Sequence, residues 1–206
     1  MRAAVVSFGL LVLTGALGAE QAGKSAGTAS RGVQAKIRQA LSAAPTDVAK
    51  GATVMDWPDK EGGPMKTLRA GTNGWMCMPS SPQAVAGALQ DPMCFDKTWS
   101  AWAEAYMSKK DPQVKTVGIA YMLHGDAGAS NTDPFASKPT ADNQWVVSPP
   151  HVMVLLPDVS LLDAFPTDPH SGGPWVMWKG TKYAHLMVPM VSVPKRAAAK
   201  NAAKTP

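Results

Sequence analysis

The sequence predicts an α+β domain: a single, mainly antiparallel sheet with two or three helices packed on it. Three observations carry that expectation. Short apolar runs bounded by Gly, Pro, Asn and Asp recur in the second half, "VGIAYMLH", "QWVV", "HVMVLL", "WVMW" and "YAHLMV", and their β-branched and aromatic content suits strands. The segments between them are too short for crossover helices, so neighbouring strands should run antiparallel. Helical patterning is confined to the first half, which gathers the helices on one face of the sheet instead of alternating them with strands.

Taken in order, the chain opens with a basic start, Met1-Arg2, an apolar stretch over residues 3–17, and the small residues Ala16, Gly18 and Ala19. That is the three-part pattern of a secretory signal peptide, residues 1–19, cleaved after Gly18 or Ala19. The apolar stretch is shorter than the roughly 20 residues that span a bilayer, and no transmembrane segment is expected after cleavage. Residues 18–25, "GAEQAGKS", also fit the phosphate-loop pattern G-x-x-x-x-G-K-[ST]. Such a loop works only if a helix begins at its Lys, so that backbone N–H groups converge on the phosphates. Here "SAGTASRG" follows, with Gly27 and Gly32, and cleavage would part the loop from its strand. A nucleotide site is not expected.

Residues 20–32, small and polar, read as a disordered linker, residues 33–190 as one α+β domain, and residues 191–206 as a basic disordered tail. Within the domain, Val33, Ile37 and Leu41 form one stripe of a short helix that ends by Pro45. "ATVMDWP" is strand-like. "TLRAGTNGWMCMP" reads as strand, Asn-Gly turn and strand, the chemistry of a hairpin. "DKTWSAWAEAYMSKKDP" is the clearest helix. Asp96 caps it, Trp99, Trp102, Ala103 and Tyr106 share a face, Lys109 and Lys110 suit the negative end of its dipole, and Pro112 forbids continuation. "WVMW-KGTK-YAHLMV" reads as a second hairpin. The words "TDP", "WVV" and "HVMV", from residues 132, 145 and 151, return as "TDP", "WVM" and "HLMV" from 167, 175 and 185. This degenerate repeat suggests two similar loop-and-strand units lying side by side in the sheet.

The net charge of +5 is unevenly spread. Between residues 39 and 194 there are eleven basic and fourteen acidic residues, the excess of Lys and Arg lying at the two ends. Basic ends on a slightly acidic body do not make a groove-reading stripe, so nucleic acid is excluded as a partner. Cys77 and Cys94 are the only cysteines, and in an exported chain such a pair forms a disulfide. The strings "LRAGTNGWMCMP", "DPMC", "GDAGASNTDPFA", "PPHVMV" and "GGPWVMWKGTKYAHLMVP" together resemble an uncharacterised family of exported bacterial proteins with no established function, over about residues 40 to 190. The resemblance implies bacterial export, to the periplasm or beyond, and assigns no functional residue.

Side chains two apart on a strand point the same way. His151 and Met153 therefore share a face of "HVMVLL", and His185 and Met187 a face of "YAHLMV". The opposite faces are aliphatic and read as core, which turns the His and Met faces outward. Imidazole with thioether suits copper, the thioethers favouring Cu(I). If the strands are neighbours, His151, Met153, His185 and Met187 form a four-ligand soft-metal set, and the chain is an exported copper-binding module. Two other classes compete. A hydrolase could draw on Asp133, Asp158, Asp168, His124, His151, His170, His185 and Ser130, although no nucleophile elbow or zinc-protease motif is present. A non-catalytic envelope protein could bind a small ligand or another envelope protein through the long loops "GASNTDPFASKPTADN" and "FPTDPHSGGP".

Overall fold

The computed structural model describes residues 30–60, 62–82 and 90–193. The expected signal peptide, the linker up to residue 29 and the tail from residue 194 lie outside the described residues. The chain divides into two units, Met1–Ala35 and Lys36–Pro206. The described part of the first, residues 30–35, is helical. Helix therefore replaces the expected disorder over residues 30–32, because the helix-forming run "VQAKIRQAL" propagates back across Gly32.

The second unit contains, in order, the rest of helix α1 (residues 30–41), α2 (Thr46–Ala49), β1 (Thr53–Asp56), β2 (Lys66–Arg69), β3 (Met76–Met78), β4 (Met93–Phe95), α3 (Lys97–Met107), β5 (Gly118–Met122), β6 (Ala129–Ser130), β7 (Trp145–Val146), β8 (His151–Leu155), a 3-10 helix (Val159–Ala164), β9 (Trp175–Met177) and β10 (His185–Pro189). Eight strands form one sheet in the order β2-β1-β3-β4-β5-β8-β10-β9, and β6 pairs with β7 in a small second sheet. Mixed α and β content thus holds, with two corrections. The main sheet is mixed, because β1 and β3 run parallel. Helical segments also cover both faces instead of one.

The parallel pair explains why the first expected hairpin does not form. β2 and β3 flank β1 on opposite sides. The chain returns past the start of β1 through residues 70–75, with the N–H groups of Thr72 and Asn73 donating to the Gly51 carbonyl and that of Thr53 to Trp75. A Cβ at Gly71 would fall onto the backbone of Ala52 and Thr53, so this crossing requires glycine. No crossover helix is needed because β2 itself carries the chain to the far side. The second expected hairpin is present, with His185 opposite Met177 and Met187 opposite Trp175.

Register sorts the side chains of the sheet between two cores. One face carries Phe95, Ala120, Met153, Met187, Trp175 and Met177 beneath α3, whose Trp99 and Trp102 enter the same cluster. The other carries Val54, Cys77 and Cys94 against Ile37, Ala40 and Ala43, and further along Val176 and Leu186 against Leu162 of the 3-10 helix. Asp96 fixes α3 to the sheet. Its Oδ1 accepts the N–H of Trp99 at 2.8 Å, capping the helix, and its Oδ2 accepts the N–H of Ile119 in β5 at 2.6 Å. Gly118 lets the helix start lie close, since a Cβ there would stand 3.0 Å from the Thr98 methyl. Cys77 and Cys94 face each other across β3 and β4 and are bridged.

Two stability effects follow. Asp96→Ala removes a cap and strands the N–H of Ile119, and should lower unfolding free energy by about 2 kcal/mol in urea titration. Replacing both cysteines by serine reopens a loop whose closure is worth about 3 kcal/mol in the chain-entropy account. The loss should register as a lower urea midpoint.

Candidate functional site

β8 and β10 are neighbours, so the two His-x-Met strands meet. Met187 stands opposite Met153, Pro189 opposite His151, and Val188 opposite Val152. Directly opposed residues project to one side of a sheet, so His151, Met153, His185 and Met187 share one face. That face is the interior one, which corrects the outward orientation expected from the sequence. Burial is complete or nearly so for all four. The aliphatic faces are also covered, by the 3-10 helix side of the sheet. Alternation alone does not tell which face is inside when both are.

The register distributes the ligands along a line. The two thioethers form the central pair. His151 lies two residues beyond it in one direction, and His185 two residues beyond it in the other. Four residues of strand rise separate the two His positions, roughly 13 Å along the sheet. Each imidazole position is two residues, roughly 7 Å of strand rise, from the methionine pair. The register thus gives a methionine pair flanked by one imidazole on each side in place of the expected four-ligand point.

Both imidazoles are held in one tautomer. Nδ1 of His151 lies 2.7 Å from the Pro149 carbonyl oxygen, and Nδ1 of His185 lies 3.0 Å from that of Tyr183. A carbonyl only accepts, so each Nδ1 carries the proton. Each Nε2 then holds a bare lone pair, and neither Nε2 has a hydrogen-bond partner among the described residues. A buried acceptor left this way costs free energy. It is also the state of an imidazole prepared as a metal ligand, with the outer nitrogen already bonded to a carbonyl.

The two imidazoles sit in different surroundings. Around His185 stand three indoles, each close to perpendicular to it, with ring centroids at 5.4 Å for Trp99, 5.7 Å for Trp102 and 4.9 Å for Trp178. The indole N–H of Trp99 donates to the Met153 carbonyl at 3.2 Å, which seats α3 over the thioether pair. This apolar burial lowers the pKa of His185 to about 4, against the raising effect of the Tyr183 carbonyl and with a small further lowering from His151. His151 also has its pKa lowered by burial, but Asp126 and the Pro149 carbonyl pull it back up. Asp126 is half-buried, which raises its pKa. Its Oδ1 accepts the N–H groups of Gly128 and Ser148, each at 2.9 Å.

The acid–base candidates are not drawn together. Asp133 accepts the N–H of Phe135, Asp168 that of His170, and Asp158 both the N–H and the hydroxyl of Ser160. Ser130 donates its hydroxyl to the Asn143 carbonyl and accepts the N–H groups of Thr132 and Asp133. These are turn and capping roles, and His124 and His170 are exposed. Among the described residues no three His, Cys, Asp or Glu side chains group so that they could hold a metal ion. A surface depression of about 220 Å³ is lined by Pro169, Gly172, Gly173, Pro189, Met190 and Val191 among others, and neither His151 nor His185 lines it. The halves of the degenerate repeat are unequal: "HVMV" and "HLMV" pair with each other, whereas "WVV" enters the small sheet and "WVM" the large one. Sequence reasoning missed the indole enclosure of His185. The stripe on α3 was visible, but which strand it would cover was not.

No protein-family model, curated protein or solved structure matches the chain.

The His185 shift sets a pH dependence. Unfolded, His185 titrates near 6.5, and folded near 4. Between these values the unfolded chain takes up a proton that the folded chain refuses, so acidification favours unfolding. The contribution is fully present above pH 6.5, is lost as pH falls towards 4, and totals about 3 kcal/mol. His151 acts in the same direction, and Asp126, with its raised pKa, in the opposite one. Urea midpoints of metal-free protein should fall across this window, and the His185→Leu variant should show a shallower slope.

Proposed function

We propose that the protein is an exported copper(I)-binding module whose ligands are the Met153 and Met187 thioethers and the His185 imidazole, with His151 the flanking imidazole on the opposite side. The observation that carries this reading is the opposed thioether pair with an unpartnered, buried imidazole nitrogen beside it. Thioether sulfur with neutral imidazole nitrogen is a soft, uncharged set, which suits Cu(I) over Zn²⁺, Mg²⁺ or Ca²⁺. A monovalent ion among neutral ligands is also the least costly metal charge to bury beside three indoles. The bridged Cys77 and Cys94 support export to the periplasm or beyond, where disulfides persist. Among the described residues no helix is long and apolar enough to cross a membrane.

The capping roles of Asp133, Asp158, Asp168 and Ser130 leave a hydrolase no converging acid, base and nucleophile, so the binding reading is preferred. Titration of metal-free protein with Cu(I) under ascorbate, against a colorimetric competitor, should show one equivalent bound, and Ag(I) should displace it. Met153→Leu and Met187→Leu, volume-conserving changes that cost less than about 1.5 kcal/mol of stability, should each weaken Cu(I) by at least about tenfold, the order of loss seen when support of a metal site is removed. Folded protein that takes up neither Cu(I) nor Ag(I) ends the proposal.

A further inference from the structure

Trp178 is the one indole around His185 that is not sealed inside. Trp99 and Trp102 are buried, whereas Trp178 is half-buried and has the shortest ring separation from His185, 4.9 Å. Its backbone is also unusual, with φ of 57°, a left-handed conformation that a bulky L-residue adopts only when its surroundings impose it. The surroundings do so here. The backbone N–H of Trp178 donates to the Asn131 carbonyl at 2.9 Å, and its indole N–H donates to the Ser130 carbonyl at 2.7 Å. On the other side, the N–H and hydroxyl of Thr181 both donate to the Trp178 carbonyl. The fold thus holds an oxidisable ring, on a half-buried residue in a strained backbone position, against the candidate ligand.

We propose that Trp178 is the electron port of the buried site, relaying one electron between copper held at His185, Met187 and Met153 and a one-electron oxidant at the protein surface. The proposal rests on the copper(I) reading. The balance is simple. The oxidant takes one electron from the Trp178 indole and is reduced by one. Cu(I) returns one electron to the indole and becomes Cu(II), and Trp178 ends unchanged. The proton stays on the oxidised ring, a radical cation, because the indole N–H is bonded to a carbonyl, which does not take it, and the ring is restored by the electron alone.

The neighbouring tyrosine is a poorer carrier. Tyr106 stacks on Trp178 at 5.5 Å, but a phenol gives up an electron readily only if its proton can go. Its hydroxyl donates to the Pro134 carbonyl at 2.5 Å, and burial raises its pKa. Tyr106 therefore walls the port without carrying charge.

The test uses the wild-type protein in three states: metal-free, Cu(I)-loaded and Ag(I)-loaded, with uptake measured separately by elemental analysis. Each is given a limited pulse of photogenerated tris(bipyridine)ruthenium(III), and oxidised tryptophans are mapped by peptide mass spectrometry. Trp57, Trp75 and Trp145 are half-buried like Trp178 and serve as internal controls. Metal-free protein should be oxidised at all four. Cu(I) should suppress oxidation at Trp178 several-fold while leaving the three controls unchanged. Ag(I), which fits the same ligands but does not give up an electron to an indole radical, should leave Trp178 as vulnerable as in metal-free protein. Equal protection by both ions means shielding and overturns the port, as does no protection by Cu(I). In Trp178→Phe, which keeps a ring in place, the Cu(II) signal in electron paramagnetic resonance at the same dose should drop several-fold, and an undiminished signal also overturns it. Failure of uptake is read from elemental analysis, and then it is the copper reading that falls.

Discussion

The pairing of β8 with β10 is the constraint on which the rest depends. It sets Met153 against Met187 and places an imidazole at each side of the pair. It turns that whole face towards α3. β8 is held on its other side by β5, with Met153 opposite Ala120, and Trp99 reaches down from α3 to the Met153 carbonyl. A slip of one residue would turn the whole set towards the 3-10 helix side and put the aliphatic residues beneath α3 in its place. The covered state of both faces removes the tolerance that a half-solvated sheet would have.

A second constraint acts through the histidines. Burial favours the neutral form of both imidazoles, at His151 against the pull of Asp126, and neutrality gives one donor and one acceptor nitrogen. The carbonyl two residues back takes the donor in both strands, so the acceptor is aimed away from the backbone and into the core. Ordinary packing would place a hydrocarbon there at lower cost. Two such nitrogens, flanking two thioethers on one face, are a recurrent arrangement rather than an isolated imperfection. Their surroundings differ: His185 is walled by indoles, while His151 shares its region with the Asp126 carboxylate. The apolar side suits a soft monovalent ion, and the side with a carboxylate does not favour it in the same way.

Much of the fold was legible. α3 was marked at its start by the Asp96 carboxylate, and its stripe of Trp99, Trp102 and Tyr106 named the side that packs. It ends at Met107, before the expected Lys109, Lys110 and Pro112, because Lys109 takes a left-handed backbone conformation. The strands "VGIAYMLH", "HVMVLL" and "YAHLMV" declared themselves as short apolar runs between turn residues, and the "KGTK" hairpin by its short loop. The path of β2 and β3 was not legible, because Asn-Gly announces a tight turn without saying whether the strands it joins become partners. Here a neighbouring strand lies between them, and Gly71 is the trace of that crossing. A glycine in a loop reads the same whether it serves the turn or a close approach.

Local chemistry in the chain therefore determined the elements, the cysteine pair and the two His-x-Met strands as the residues worth following. These depend on period, turn residues and composition, which neighbours in sequence already contain. Tertiary structure decided which face of those strands is interior, that their thioethers oppose each other while their imidazoles are set apart, and that three indoles from two distant segments surround only His185. Those facts depend on register and on what packs from above, and both are set by contacts between residues far apart in the chain.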